Sequence, residues 1–181
     1  MILSEEEAGV PVAAAAPTER DHVMGSPDAP LVLVEYGEYE CITCRIARVA
    51  VGHLQQKFGE RLAYVFRHFP QSRQHPHAQL AAEAAEAAGA QGKFWEMHAR
   101  LFETGQLSED DLRWHAEEIG LDVERFRREL RERTYAPRVV EDLEEGIRVN
   151  VTRTPTFFIN SQRYEGPLEV KPLKEALEAA L

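Results

Sequence analysis

The feature that most constrains this chain is a junction. Its two cysteines, Cys41 and Cys44, sit where an apolar strand-like run gives way to a helical pattern. Leu31-Val32-Leu33-Val34 is β-branched, apolar and of the length of a buried strand. Arg45 to Phe58 lacks proline and spaces Ile46, Val49, Ala50, His53, Leu54 and Lys57 at helical intervals, which predicts a helix over 42–58 beginning at the first cysteine. Exposed amides and the dipole at a helix N-terminus favour negative charge, so Cys41 there is stabilised as a thiolate. Cys44 follows about one turn later, where an i, i+3 pair can close a disulfide without moving the backbone. The expected chemistry is that Cys41 attacks and Cys44 resolves. A static disulfide is the blander reading, but so short a loop removes little entropy from the unfolded chain. A zinc site completed by His75 and His77 is another, although paired histidine ligands are usually about three to five residues apart. Redox chemistry is favoured, and no metal is expected.

The 181 residues suffice for one domain with a full core and an insertion. Lys plus Arg total 21 against 31 Asp plus Glu, a net charge of −10 that argues against a nucleic-acid partner. No run approaches the ~18 apolar residues of a membrane span. Met1 to Glu7 is acidic where a secretory signal would be basic, and Pro11 interrupts the Ala-rich patch Val10 to Ala16. A cytoplasmic location is therefore expected. A lone Cys-x-x-Cys in that reducing compartment reads as catalytic or sensing.

In order, residues 1–22 read as a mobile or loosely docked tail, and His22 to Gly25 as a short edge strand. A strand over 31–36, the helix over 42–58 and a second strand over 61–69 make a βαβ unit with parallel pairing. Residues 74 to about 149 turn rich in Ala, Glu, Leu and Arg, with Pro76 in the first turn of one helix and Gln91 to Glu103 as another. Ser108 with Asp111 reads as a capping box and Asp122 as a further cap, and Val139, Val140, Leu143 and Ile147 stripe a last helix. Thr154 to Asn160 is a strand entered through Pro155, Ser161-Gln162 turns it into Arg163-Tyr164-Glu165, and Glu169 to Leu181 closes the chain as a helix. This is an α/β chain, a thioredoxin fold with an all-helical domain inserted between the βαβ and ββα halves. The parts are a tail over 1–22, a thioredoxin-like domain over 23–72 and 150–181, and the insertion over 73–149.

Several stretches carry a family likeness: Asp21-His22-Val23-Met24-Gly25, Leu33 to Gly37, Cys41-x-x-Cys44-Arg45, His75-Pro76-His77-Ala78, Phe94 to His98 and Thr154 to Asn160. On these the chain resembles the DsbA-like members of the thioredoxin superfamily. The nearest subgroup in character occurs as stand-alone proteins and as a domain appended to some sodium/proton antiporters. The resemblance implies thiol–disulfide exchange through Cys41 and Cys44. It places Thr154-Pro155 at the cis-proline loop beside the active sulfur, with the Thr154 backbone left to pair with an extended substrate strand. An ordinary strand-entry proline is the alternative for Pro155. Glu35 matches the acid buried beneath the cysteine pair, where a desolvated carboxyl could shuttle the Cys44 proton.

Glu38 and Glu40 are expected to be solvated, His75 and His77 to start a helix, His98 to be packed, and Trp95 and Trp114 to lie in the core. Relatives commonly carry proline and an aromatic residue or histidine between the cysteines, whereas this chain has Ile42-Thr43. One donor to the thiolate is then missing, and a less oxidising pair is expected. Expected partners are protein or small-thiol disulfides, with no cofactor beyond the Cys41–Cys44 disulfide and with glutathione or thioredoxin as electron partner. A redox-sensing module using the same pair without turnover, and a glutathione-dependent thiol enzyme, are the competing functions.

Overall fold

A computed structural model describes residues 13–14 and 16–181, and in it the cysteine pair caps the central strand of a sheet. Among the described residues five strands form that sheet, β1 (His22–Met24), β2 (Leu31–Gly37), β3 (Leu62–His68), β4 (Thr156–Ile159) and β5 (Gln162–Tyr164), in the order β1-β3-β2-β4-β5. The pairing of β2 with β3 is parallel, Leu31 opposite Leu62 and Gly37 opposite His68. β4 runs antiparallel to β2 and sets Glu35 opposite Phe157. The turn from β4 to β5 falls one residue earlier than the spacing predicts. Asn160 and Ser161, at φ 46° and 69°, form the left-handed pair that suits a tight hairpin, and the Asn160 side chain accepts the Val32 amide.

Alternation along β2 assigns the two faces. Leu31 and Leu33 enter the larger core with Tyr64, Phe66 and Phe157, and Val34 and Tyr36 enter a smaller one with Val65, Phe69 and Phe158. Glu35 therefore points to the larger core. That core is covered by α1 (Ile42–Phe58) and by α2 (Ala78–Ala90), α3 (Phe94–Thr104), α4 (Glu109–Glu118) and α5 (Val123–Arg131). α6 (Ala136–Arg148) and α7 (Val170–Ala179) complete the described α-helices, and α7 adds Leu173 and Leu177 to the same larger core. Ser108 and Asp111 form the reciprocal capping box, and Asp122 accepts the Arg125 amide. Pro76 falls before α2, whose cap is His77.

Two helix faces differ from the sequence reading. The buried face of α1 is Cys44, Ala47, Ala50, Val51, Leu54 and Phe58, leaving Ile46 and Val49 64% and 63% exposed. Small Ala47 and Ala50 let α1 lie close on the sheet, which a count of large apolar residues overlooks. On α6 the inward face is Val139, Asp142, Glu145 and Gly146, while Ile147 faces out. A Cβ on Gly146 would sit 2.6 Å from the Phe69 ring, so the approach of α6 there requires glycine.

Glu145 and Asp21 both bind buried Arg67, at 3.1 and 2.9 Å, and the Arg67 guanidinium also donates to the Tyr36 hydroxyl. This cluster anchors the segment before β1. Residues 1–12 and 15 of the expected loose tail lie outside the described residues. Ala14 is buried with its amide on the Ser161 carbonyl, and the Ala16 carbonyl accepts from Arg67. Among the described residues no helix is long and apolar enough to cross a membrane.

Candidate active site

Cys41 is the N-cap of α1, and its sulfur accepts the Cys44 amide at 3.3 Å. The cap geometry aims the first-turn amides at this sulfur, as a capping oxygen would be held. Thr43 adds a hydroxyl 3.0 Å from the same sulfur. These groups, the Cys44 thiol first among them, outweigh burial and bring Cys41 from 9.0 down to about 5. Cys44 is fully buried, and desolvation, reinforced by Cys41 and Glu35, holds its thiol well above the usual range. One sulfur is prepared as a thiolate and the other is kept as a thiol. Both are free cysteines in this structure.

Pro155 follows a cis peptide bond from Thr154, and the Thr154 carbonyl oxygen lies 3.6 Å from the Cys41 sulfur. The Thr43 hydroxyl donates to the same carbonyl at 3.2 Å. A cleft of about 240 Å³ opens beside this contact, lined in part by Thr43, Arg153, Thr154, Pro155, Tyr164 and Leu168. Two of the four residues of the Cys-x-x-Cys unit, Cys41 and Thr43, thus meet the proline loop. Thr43 is the residue that sequence reasoning undervalued. Its hydroxyl lies within reach of both the Cys41 sulfur and the Thr154 carbonyl, so a hydroxyl stands between the cysteines where the sequence reading saw no donor to the thiolate.

Glu35 lies on the α1 side of β2, wholly buried, with its Oε2 accepting the Tyr64 hydroxyl at 2.6 Å. Desolvation, with a smaller push from Cys41, raises its carboxyl to about 8. Gly37 leaves space for it, because a Cβ there would lie 3.0 Å from Glu35 Oε1 and 2.9 Å from the Phe66 ring.

Glu38 overturns the expectation of a solvated charge. It is buried, its Oε1 lies 2.6 Å from His75 Nδ1, and burial raises it to about 8. Glu40 is also drawn in, accepting the His77 backbone amide at 2.8 Å at the start of α2, where a helix N-terminus favours an anion. Each histidine thus meets its own carboxylate, and among the described residues no cluster of His, Cys, Asp and Glu is arranged to hold a metal. His98 is packed, 2.9 Å from the Tyr39 hydroxyl through Nδ1. Trp95 packs against the larger core, but Trp114 is 41% exposed and lies under the Arg100 guanidinium instead.

The sequence profile described as Thioredoxin matches residues 17–179. The chain is 44% identical over 181 residues to the Na(+)/H(+) antiporter NhaA 1 of Mycobacterium sp. (strain KMS), covering 96% of this chain and 29% of that protein. It is 45% identical over 163 residues to the Na(+)/H(+) antiporter NhaA 1 of Salinispora arenicola, covering 90% of this chain and 25% of that one. The chain thus spans less than a third of these relatives. Among solved structures, oxidised BdbD from Bacillus subtilis superposes with a TM-score of 0.83 at 23% identity, covering 95% of this chain and 98% of BdbD. A thioredoxin-like oxidoreductase from Silicibacter pomeroyi gives 0.77 at 27% identity, with 90% and 93% covered. Wolbachia pipientis alpha-DsbA1 gives 0.77 at 21% identity, with 91% and 92% covered.

Proposed function

The chain belongs to the thioredoxin family, and from that premise we propose that it is a thiol–disulfide oxidoreductase acting on protein disulfides through Cys41 and Cys44. The observation that carries the reading is the asymmetry of the pair, an acidified sulfur at the cap of α1 beside a buried thiol. The Cys41 thiolate attacks one sulfur of a substrate disulfide, that S–S bond breaks, and the other substrate sulfur leaves as a thiolate and takes a proton from water. Cys44 then gives its proton to Glu35 and attacks the Cys41 sulfur. The mixed disulfide breaks and the second substrate sulfur leaves. The substrate has gained two electrons and the pair has lost them; run in reverse, the disulfide form oxidises a dithiol. A carboxyl at about 8 can take and return that proton near neutral pH.

An extended substrate segment would lie against Thr154 and Pro155, pairing with the Thr154 backbone and filling the cleft beside Thr43. The Cys41 value of about 5 falls between roughly 7 for thioredoxin and 3.5 for DsbA. The expected potential therefore lies between about −270 and −120 mV, less oxidising than DsbA. We place its work in a reducing compartment, with a small thiol or a dithiol protein as electron partner. Transport belongs to the names of the longer relatives and forms no part of this reading.

Cys44→Ala tests the proposal. It should accumulate substrates joined to Cys41 that run as dithiothreitol-sensitive adducts, and Cys41→Ala should accumulate none. Absence of adducts from C44A with reduced and oxidised protein substrates alike would sink it. Turnover of an insulin-like disulfide by the unmodified protein separates an enzyme from a sensor.

A further inference from the structure

Glu38 closes the turn that leads from β2 to Cys41, and its carboxyl is entirely hidden from water. A glutamate is seldom buried unless a partner compensates. Here neither oxygen makes a hydrogen bond of good geometry, and the nearest polar atom is His75 Nδ1 at 2.6 Å, on a side chain 29% exposed. The charged and titratable groups facing Glu38 are Cys41 and Glu40 from its own loop and His75 from the segment before α2, while the Cys44 thiol meets the Glu38 backbone and not its carboxyl. From this placement we infer that Glu38 and His75 form a proton-carrying pair that answers the charge on Cys41, with His75 as its outlet to solvent.

The inference rests on the exchange chemistry proposed above. When a dithiol reduces the Cys41–Cys44 bond, two electrons enter it, Cys41 separates as a thiolate and Cys44 takes one proton. The new negative charge beside Glu38 increases that carboxyl's hold on a proton, and a further proton enters from water through His75. Reoxidation removes the charge and releases the proton by the same route. Burial and the thiolate together bring Glu38 to about 8, so the uptake falls near neutral pH. Glu35 does not duplicate this role, since among the described residues it hydrogen-bonds the buried Tyr64 and its proton traffic is with Cys44. Glu38 acts through the Cys41 thiolate and touches no substrate, which makes it a positioning residue.

The test is the equilibrium constant for reduction by dithiothreitol, measured on the full chain from about pH 6 to 9. Each proton taken up with the two electrons makes that constant change about tenfold per pH unit. Glu38→Gln should flatten the profile near neutral pH, and Glu35→Gln should leave the Glu38 contribution in place. His75→Ala should retain the step but move it to higher pH, because the carboxylate loses its nearest polar neighbour and the cation that neighbour can become. A Glu38→Gln profile that superimposes on the unmodified protein overturns the inference. So does a His75→Ala step at the original pH. If Glu38→Gln fails to fold, the partly exposed His75→Ala decides alone. Should the unmodified protein form no disulfide against any dithiothreitol ratio, the exchange reading itself falls, an outcome distinct from a mere loss of the step.

Discussion

The hydroxyl of Thr43 lies 3.0 Å from the Cys41 sulfur and 3.2 Å from the Thr154 carbonyl, so it can serve either but donates its one hydrogen to one at a time. With Cys41 as a thiol the hydrogen is free for the carbonyl, and with Cys41 as a thiolate the sulfur is the stronger acceptor. Thr43→Val keeps the shape and removes the donor. Cys41 should then titrate above its present value of about 5. The rise should be about 0.5 to 1 unit, because Thr43 is exposed and water replaces part of the lost bond. Thiolate absorbance followed against pH measures this, and an unmoved midpoint would assign the whole effect to Cys44 and the helix cap.

Glu35 ties stability to pH with a definite sign. Its folded carboxyl stands at about 8 against 4.5 unperturbed. The folded state binds the proton more tightly, so the contribution is complete below about 4.5 and is lost as pH rises through about 8. In the reduced protein Cys41 works the other way, since a thiol lowered from 9.0 to about 5 stabilises at high pH and loses that effect as pH falls through about 5. Glu35→Gln removes the first effect and keeps the second. Between pH 5 and 8 its stability relative to the unmodified protein should rise by up to about 1 kcal/mol per pH unit. Urea unfolding at both pH values under reducing conditions checks the slope, and a constant difference would contradict it.

The same carboxyl should govern resolution of the mixed disulfide. A positioned acid–base group typically contributes about 10²- to 10⁴-fold to a proton-transfer step. In Glu35→Gln the Cys44 proton has no buried acceptor, and the mixed disulfide with a model substrate should persist at least about tenfold longer. The attack by Cys41 should change much less. Rapid-quench separation of the two steps distinguishes this from general damage, which would slow both.

The order of elements was legible because its signals are local: the strand run before Cys41, the capping residues Ser108 and Asp122, and the cysteine spacing itself. The cover of Glu38 was not, because periodicity ends with β2 and the residue that shields this carboxyl, His75, comes from a distant segment. The face of α1 was misjudged for a different reason, since close packing against a sheet selects Ala47 and Ala50 over the larger Ile46 and Val49. That correction has its own test. Ile46→Lys and Val49→Lys should each change stability by no more than about 0.5 kcal/mol. Leu54→Ala, on the buried face, should cost about 2–5 kcal/mol. Comparable losses at all three positions would restore the periodicity-based face.

Arg67 offers the sharpest test of how the sheet is tied to its surroundings. The side chain is 2% exposed and meets Asp21 before β1, Tyr36 on β2 and Glu145 on α6. Burial disfavours its charge, but its partners, Asp21 first, hold the guanidinium above its ordinary value and keep it cationic throughout the working range. Asp21 is correspondingly lowered by Arg67 despite its burial. Removing only the cation takes from Asp21 and Glu145 their closest positive charge, leaving Glu145 the more distant Arg20 and Arg148 at 3.9 and 4.0 Å, so Arg67→Met should lose about 3 kcal/mol at pH 7. The deficit should shrink as pH falls, because protonation relieves the stranded Asp21 of its charge. Urea unfolding at pH 7 and pH 4 measures both parts. A pH-independent loss would mean that Arg67 acts by filling space instead of by neutralising Asp21 and Glu145.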